Sequence, residues 1–98
     1  MAVLEISVVP IGTASTSLSS YVADCVRLLK GKKIKYELTS MGTNMEGDLG
    51  KLIRIAMKMH EVPFKKGVHR VLTTIKIDDR RDKKGTLSGK KQSVRLKL

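Results

Sequence analysis

Aromatic side chains are almost missing from this 98-residue sequence: Tyr21, Tyr36 and Phe64 are the three present, and tryptophan is absent. The core must therefore be aliphatic. A nucleic-acid surface built on stacked rings finds no material either, because no aromatic is interleaved with the cations from Arg80 to Lys97. Cysteine occurs once, at Cys25, which excludes an internal disulfide and a cysteine-rich metal cage. Histidine occurs only at His60 and His69, too few for a histidine-based zinc site without help, so no metal is expected. No apolar run approaches the ~20 residues of a membrane span. The acidic Glu5 within an alternating segment does not read as a secretory leader. The expectation is a cytoplasmic chain without a membrane partner.

What is present suits one small domain over residues 1–98, with 41% apolar and 30% charged residues. The net charge of +11 is unevenly placed. Residues 1–50 hold five Lys/Arg against five Asp/Glu, and residues 51–98 hold fifteen against four. Such a half reads either as an anion-binding surface or as a solvated basic face.

Periodicity gives the elements. Val3 to Val9 alternates as a strand, with Leu4, Ile6 and Val8 on one face, and Pro10, lacking an N–H, is expected to stop it. A hydroxyl-rich loop leads into a helix running to about Lys30, with Leu18, Val22, Cys25 and Leu29 on one stripe and Gly31 at its end. Lys33 to Thr39 reads as a strand, Ser40-Met41-Gly42 as a turn, and Thr43 to Gly47 as a short returning strand. Asp48 then caps a second helix, expected to end at about Val62 before Pro63. Val68 to Asp78 is the longest strand and carries apolar residues on both faces. The tail matches a helical stripe (Leu87, Val94, Leu98) and also a strand (Val94, Leu96, Leu98). The reading taken is a helix from about Thr86, so that residues 84–98 form a C-terminal extension. The order β-α-β-β-α-β is the α+β, ferredoxin-like arrangement: a four-stranded antiparallel sheet with two helices on one face. Apolar residues left on the second face of Val68 to Asp78, and repeated in the first strand, predict burial against another subunit.

The sequence holds no nucleophile, base and orienting group in a recognisable pattern. Gly42 and Gly47 have phosphate-loop spacing, but Asp48 stands where a lysine is needed. No Gly-x-Gly occurs, and His60-Glu61 begins a zinc-protease motif that Phe64 breaks. The expectation is a protein that is not an enzyme. Two stretches remain. Met41 to Gly47 offers a hydroxyl, a carboxylate and a flexible backbone in one hairpin, and the ordinary alternative is a plain turn. Lys76 to Lys83 holds seven charges of both signs in eight residues, and such runs are usually solvated.

Pro10-Ile11-Gly12-Thr13, Tyr21-Val22-Ala23, Met41-Gly42-Thr43 with Glu46-Gly47, His60-Glu61, Gly67-Val68-His69-Arg70-Val71 and Ile75 to Lys83 follow one another in order. Taken together they give the sequence a resemblance to the small thiamine-binding family of YkoF-like and related proteins, over nearly the whole chain. The resemblance implies a ferredoxin-like fold, homodimers formed through sheet faces that assemble into a homotetramer, and no known catalysis. It also implies binding of thiamine or its hydroxymethylpyrimidine moiety, with no cofactor required. Carried onto this sequence, Glu46 would accept from the pyrimidine amine, Thr43 would bond a ring nitrogen, and Thr13 or Ser17 would close the rim. The alternative is a basic oligomer that binds nucleic acid or another anionic partner, with the lack of stacking rings arguing against nucleic acid. An enzyme acting on phosphorylated thiamine precursors comes third, with Arg70 or the Arg80-Arg81 pair holding the phosphate.

Overall fold

A computed structural model describes residues 1–13, 18–82 and 87–98. Four strands and three helices follow the order β1 (Ala2–Ile11), α1 (Ser19–Arg27), β2 (Lys35–Leu38), β3 (Thr43–Gly47), α2 (Leu49–Lys65), β4 (Arg70–Asp79) and α3 (Leu87–Lys97). The strands form one antiparallel sheet in the order β2-β3-β1-β4. This is the expected ferredoxin-like α+β arrangement, with α3 added.

The expected alternation places the core. Leu4, Ile6 and Val8 of β1 stand opposite Ile77, Ile75 and Thr73 of β4, while Leu4 and Ile6 stand opposite Met45 and Thr43 of β3. These residues share the face covered by α1 and α2. Leu4, Ile6, Met45, Leu29, Leu52 and Met59 are essentially sealed from water there. Burying a side chain of this size stabilises by roughly 1.5–3 kcal/mol. Asp48 caps α2 as expected: its carboxylate accepts from the Lys51 amide at 3.1 Å.

Two prolines behave differently from the sequence expectation. Pro10 does not stop β1; it pairs with Val71, and the strand continues to Ile11. The β3 side of β1 is unpaired beyond Ile6, so this stretch is a sheet edge, where a proline is tolerated. Pro63 does not end α2 either, which continues to Lys65. A residue with an N–H at position 63 would donate to the carbonyl of Met59 four residues back. The proline leaves that carbonyl open, and the Cys25 thiol of α1 donates to it at 3.7 Å. α1 is shorter than expected. It ends at Arg27, and bonds such as Leu29 N to Val26 O tighten the chain until Gly31, at φ 78°, reverses it.

The second sheet face carries Val3, Glu5 and Ser7 of β1 and Leu72, Thr74, Lys76 and Asp78 of β4. α3 crosses this face on polar tethers. Leu87 N donates to Glu46 Oε2 at 2.8 Å, Lys90 pairs with Asp78, and Lys91 pairs with Glu37. The tail is therefore the helix that was expected. Its expected start at Thr86 lies outside the described residues.

Candidate ligand-binding site

The β2–β3 hairpin is organised by Thr39, which the sequence reading had not singled out. Its hydroxyl donates to the Gly42 carbonyl at 3.0 Å and accepts from the amides of Gly42 and Met41 at 3.1 and 3.3 Å. Its amide also donates to the Gly42 carbonyl at 2.8 Å. A hydroxyl that bonds the backbone locally in this way stands in for a regular turn. The hairpin lies hard against β1, since a Cβ on Gly42 would come within 2.7 Å of the Ile6 carbonyl oxygen. Only a glycine allows that approach.

Between this hairpin, the end of β1 and the start of α1 lies a cavity of about 310 Å³. Ile6, Val8, Leu18, Val22, Leu38 and Met59 make its apolar wall, and Ser7, Thr39, Ser40 and Thr43 are the hydroxyl-bearing residues in its lining. The volume falls at the low end of the roughly 300–1,000 Å³ of small-molecule sites. Thr43 is 5% exposed, and among the described residues no buried side-chain nitrogen or oxygen lacks a hydrogen-bond partner. The cavity lining carries no carboxylate, amine or guanidinium among the described residues. Cys25, also in the lining, is neutral: burial pushes its thiol up to about 11.

The four residues expected around a ligand are not gathered together. Thr43 lines the cavity. Glu46, three positions along β3, projects to the opposite sheet face, because an odd offset along a strand reverses the side chain. There it is 6% exposed, accepts from Leu87 N and lies 3.9 Å from Lys35 Nζ. Thr13 is partly buried just past β1 and does not line the cavity, and Ser17 lies outside the described residues.

The expected anion-binding residues are mostly engaged. Arg80 donates through Nε and Nη2 to Asp82 at 2.6 and 3.1 Å, a bond that raises its already high pKa. Arg81 donates through Nε and Nη2 to Asp79 at 3.2 and 2.9 Å. Arg70, exposed at the start of β4, makes no ion pair among the described residues. A cationic cleft forms elsewhere. Lys32 and Lys33, in the turn after α1, meet Lys51, Arg54 and Lys58 of α2 around a hollow of about 490 Å³. No acidic residue lines it, and none of these five cations is ion-paired among the described residues. The spacing of Lys51, Arg54 and Lys58 was visible as a polar helical stripe. Their meeting with Lys32 and Lys33 was not, because those two lie in the half of the chain that carries no net charge.

Among the described residues no group of His, Cys, Asp and Glu could hold a metal ion, and no helix is long and apolar enough to cross a membrane.

Relatives extend over the full length of this arrangement. UPF0045 protein YqgV of Bacillus subtilis is 50% identical over 102 residues, covering 100% of this chain and 98% of its own length. A UPF0045 protein of Methanothermobacter thermautotrophicus is 46% identical over 99 residues, covering both chains completely. The crystal structure of the hypothetical protein MJ1052 of Methanocaldococcus jannaschii superposes with a TM-score of 0.85 at 33% identity, covering 95% of this chain and 94% of its own. A Thermotoga maritima protein, provisionally assigned to thiamine biosynthesis or salvage, shares the fold with a TM-score of 0.76 at 17% identity, covering 95% and 97%. The family model described as thiamine-binding protein matches residues 4–95, from the first core strand through the helix that crosses the second sheet face. With the hairpin and most of the first strand and the added helix inside that match, the chain belongs to the thiamine-binding protein family.

Proposed function

We propose that this chain is a non-enzymatic binding protein for the hydroxymethylpyrimidine half of thiamine, held in the cavity beside the β2–β3 hairpin. The observation that carries this reading is the cavity itself: about 310 Å³, walled mostly by apolar side chains, with the 5%-exposed Thr43 of β3 in its lining and no charged group among the described lining residues. A flat neutral ring with nitrogen acceptors suits a mostly apolar slot with a few hydroxyl-bearing residues in its lining. The cationic thiazolium finds no carboxylate in the lining, so in thiamine that half stays toward the cavity mouth. In this reading Glu46 tethers α3 and does not touch the ligand. Calorimetry with hydroxymethylpyrimidine, thiamine and thiamine phosphates tests the proposal. Hydroxymethylpyrimidine and thiamine should bind with similar affinity. Thr43→Val, which keeps the shape and removes the hydroxyl, should weaken both by about 1 kcal/mol, roughly fivefold. Glu46→Gln should leave affinity unchanged. Absence of binding, or full affinity in Thr43→Val, overturns the cavity as the site, and a loss in Glu46→Gln returns that carboxylate to it.

The cleft of Lys32, Lys33, Lys51, Arg54 and Lys58 favours a second reading, in which the chain binds an anionic partner. Five cations without an acidic neighbour in one hollow attract a phosphate-rich ligand. In this reading the anion sits in the cleft and not at Arg80 and Arg81, which pair with Asp82 and Asp79.

A further inference from the structure

The cationic cleft between the turn after α1 and the exposed stripe of α2 differs from the rest of the surface in how its charges are kept. Elsewhere cations meet acids: Arg27 and Lys66 pair with Asp24, Lys90 with Asp78, and Lys91 with Glu37. Lys32, Lys33, Lys51, Arg54 and Lys58 have no such partner among the described residues. Arg54 and Lys58 stand four residues apart on α2, a spacing at which like charges destabilise a helix. Lys51 lies in the first turn of α2, which holds no acidic residue, and the helix dipole disfavours a cation at that end. Asp48 directs its carboxylate to the Lys51 amide, and Glu61, a turn beyond Lys58, is outside the lining. The cluster costs free energy by itself, and a bound anion offsets that cost.

The frame beneath these side chains is fixed by the core. Leu52, Ile55, Ala56 and Met59 seat α2, and the buried Ile55 also lines the cleft. Gly31 reverses the chain, Lys32 N donates to Leu29 O at 3.2 Å, and Ile34 N donates to Lys32 O at 2.9 Å. Leu29 and Ile34, buried on either side, pin this turn and hold Lys32 and Lys33 beside α2. A ligand in the cleft therefore orders side chains but no backbone, which lowers the cost of binding.

We infer that the cleft binds a short chain of phosphates and reads the phosphates alone, blind to the group they are attached to. This rests on the second reading above and narrows its anionic partner to an oligophosphate group. The hollow of about 490 Å³ falls within the roughly 300–1,000 Å³ of small-molecule sites, so it suits a compact polyanion. Lysines serve phosphate as point charges, and the Arg54 fork matches two oxygens of one phosphate. Blindness to the attached group follows from the lining, which besides the five cations holds only Gly31 and Ile55. Neither an aromatic ring nor a side-chain amide or hydroxyl is there to stack on a base or read its edge. The same lack argues against single-stranded nucleic acid, whose bases need stacking platforms. Free tripolyphosphate and the triphosphate of a nucleotide are equivalent to such a site.

Isothermal titration of the full chain at about 50 mM salt tests this with phosphate, pyrophosphate, tripolyphosphate, ATP, GTP and UTP. Affinity should rise with each added phosphate. The three nucleotides should agree with one another within about threefold, and tripolyphosphate should bind at least as tightly. Lys32→Ala with Lys33→Ala should weaken tripolyphosphate by about tenfold or more, because the turn and the helix hold it together. Arg54→Lys, which keeps the charge and loses the fork, should weaken it several-fold. Arg95→Ala with Lys97→Ala removes the same charge from α3 and should change affinity by less than about twofold. An equal loss in that variant overturns the inference by reducing the effect to net charge. A preference of about tenfold or more for one base overturns it as well. Tighter binding of duplex DNA or polyglutamate through the same lysines overturns the oligophosphate and keeps the broader anionic reading. Failure of every one of these anions to bind overturns both.

Discussion

The carbonyl of Met59 is open because Pro63 cannot donate to it, and the Cys25 thiol fills the gap. That pairing fixes the chemistry of the one cysteine. A thiol that is 6% exposed and pushed up to about 11 by burial is a core group. At pH 8 roughly one thiol in a thousand is ionised, so the folded protein should not react with a chromogenic disulfide reagent. In denaturant the reaction should be complete within minutes. The sign of the linkage follows. The folded value lies above the unfolded value of about 8.5, so the stability contributed by the neutral thiol is present below pH ~8.5 and declines as pH rises toward 11. Rapid labelling of the native chain would show that α1 is not seated on α2 as described.

At the scale of elements, α3 differs from the other helices. α1 and α2 are held by core packing, but α3 has no buried residue, and Val94, Leu96 and Leu98 are 57%, 84% and 99% exposed. Its attachment rests on Glu46, Asp78 and Glu37. Lys91, bonded to Glu37, holds that carboxyl below the usual range. A depressed carboxylate contributes stability above its unfolded value near pH 4.3, and that contribution is lost as pH falls through the folded value. Hydrogen exchange should therefore show α3 loosening before the sheet does, both on acidification below about pH 4 and on addition of salt. Glu46→Ala should destabilise α3 docking by about 1.5–3 kcal/mol, the range for a hydrogen bond to a charged group, read as earlier tryptic cleavage at Lys90 and Lys91. Equal protection of α3 and β1 in acid would contradict this account.

For the whole molecule, charge is the feature most open to test. The excess of +11 was read from the second half of the sequence, yet the unpaired cluster forms where both halves meet. Tripolyphosphate binding, if the cleft takes it, should fall steeply between about 50 and 200 mM salt, as phosphate contacts do. Pyrimidine binding in the apolar cavity should change little over the same range. Lys51→Ala together with Lys58→Ala should abolish the first and spare the second. Tripolyphosphate binding that ignores both salt and these substitutions would remove the cleft from consideration.

Much of the architecture was legible because period and capping are local properties. Alternation in β1 and β4, the 3.6-residue stripe of α1 and the Asp48 cap are written in neighbouring residues, and they give the element order and the faces. The prolines were misjudged for the same reason: whether a missing N–H matters depends on what lies beside the strand or opposite the carbonyl. Glu46 and Thr43 lie in one motif, and the sequence alone made them look like one site. A β-strand turns residues three apart to opposite faces, and α3 then claimed Glu46. The sequence by itself determined the α+β fold, its aliphatic core and its basic charge, since these follow from composition and periodicity. Only the tertiary structure decided which residues line the cavity and which cations remain unpaired among the described residues, because each depends on segments distant in the chain coming together.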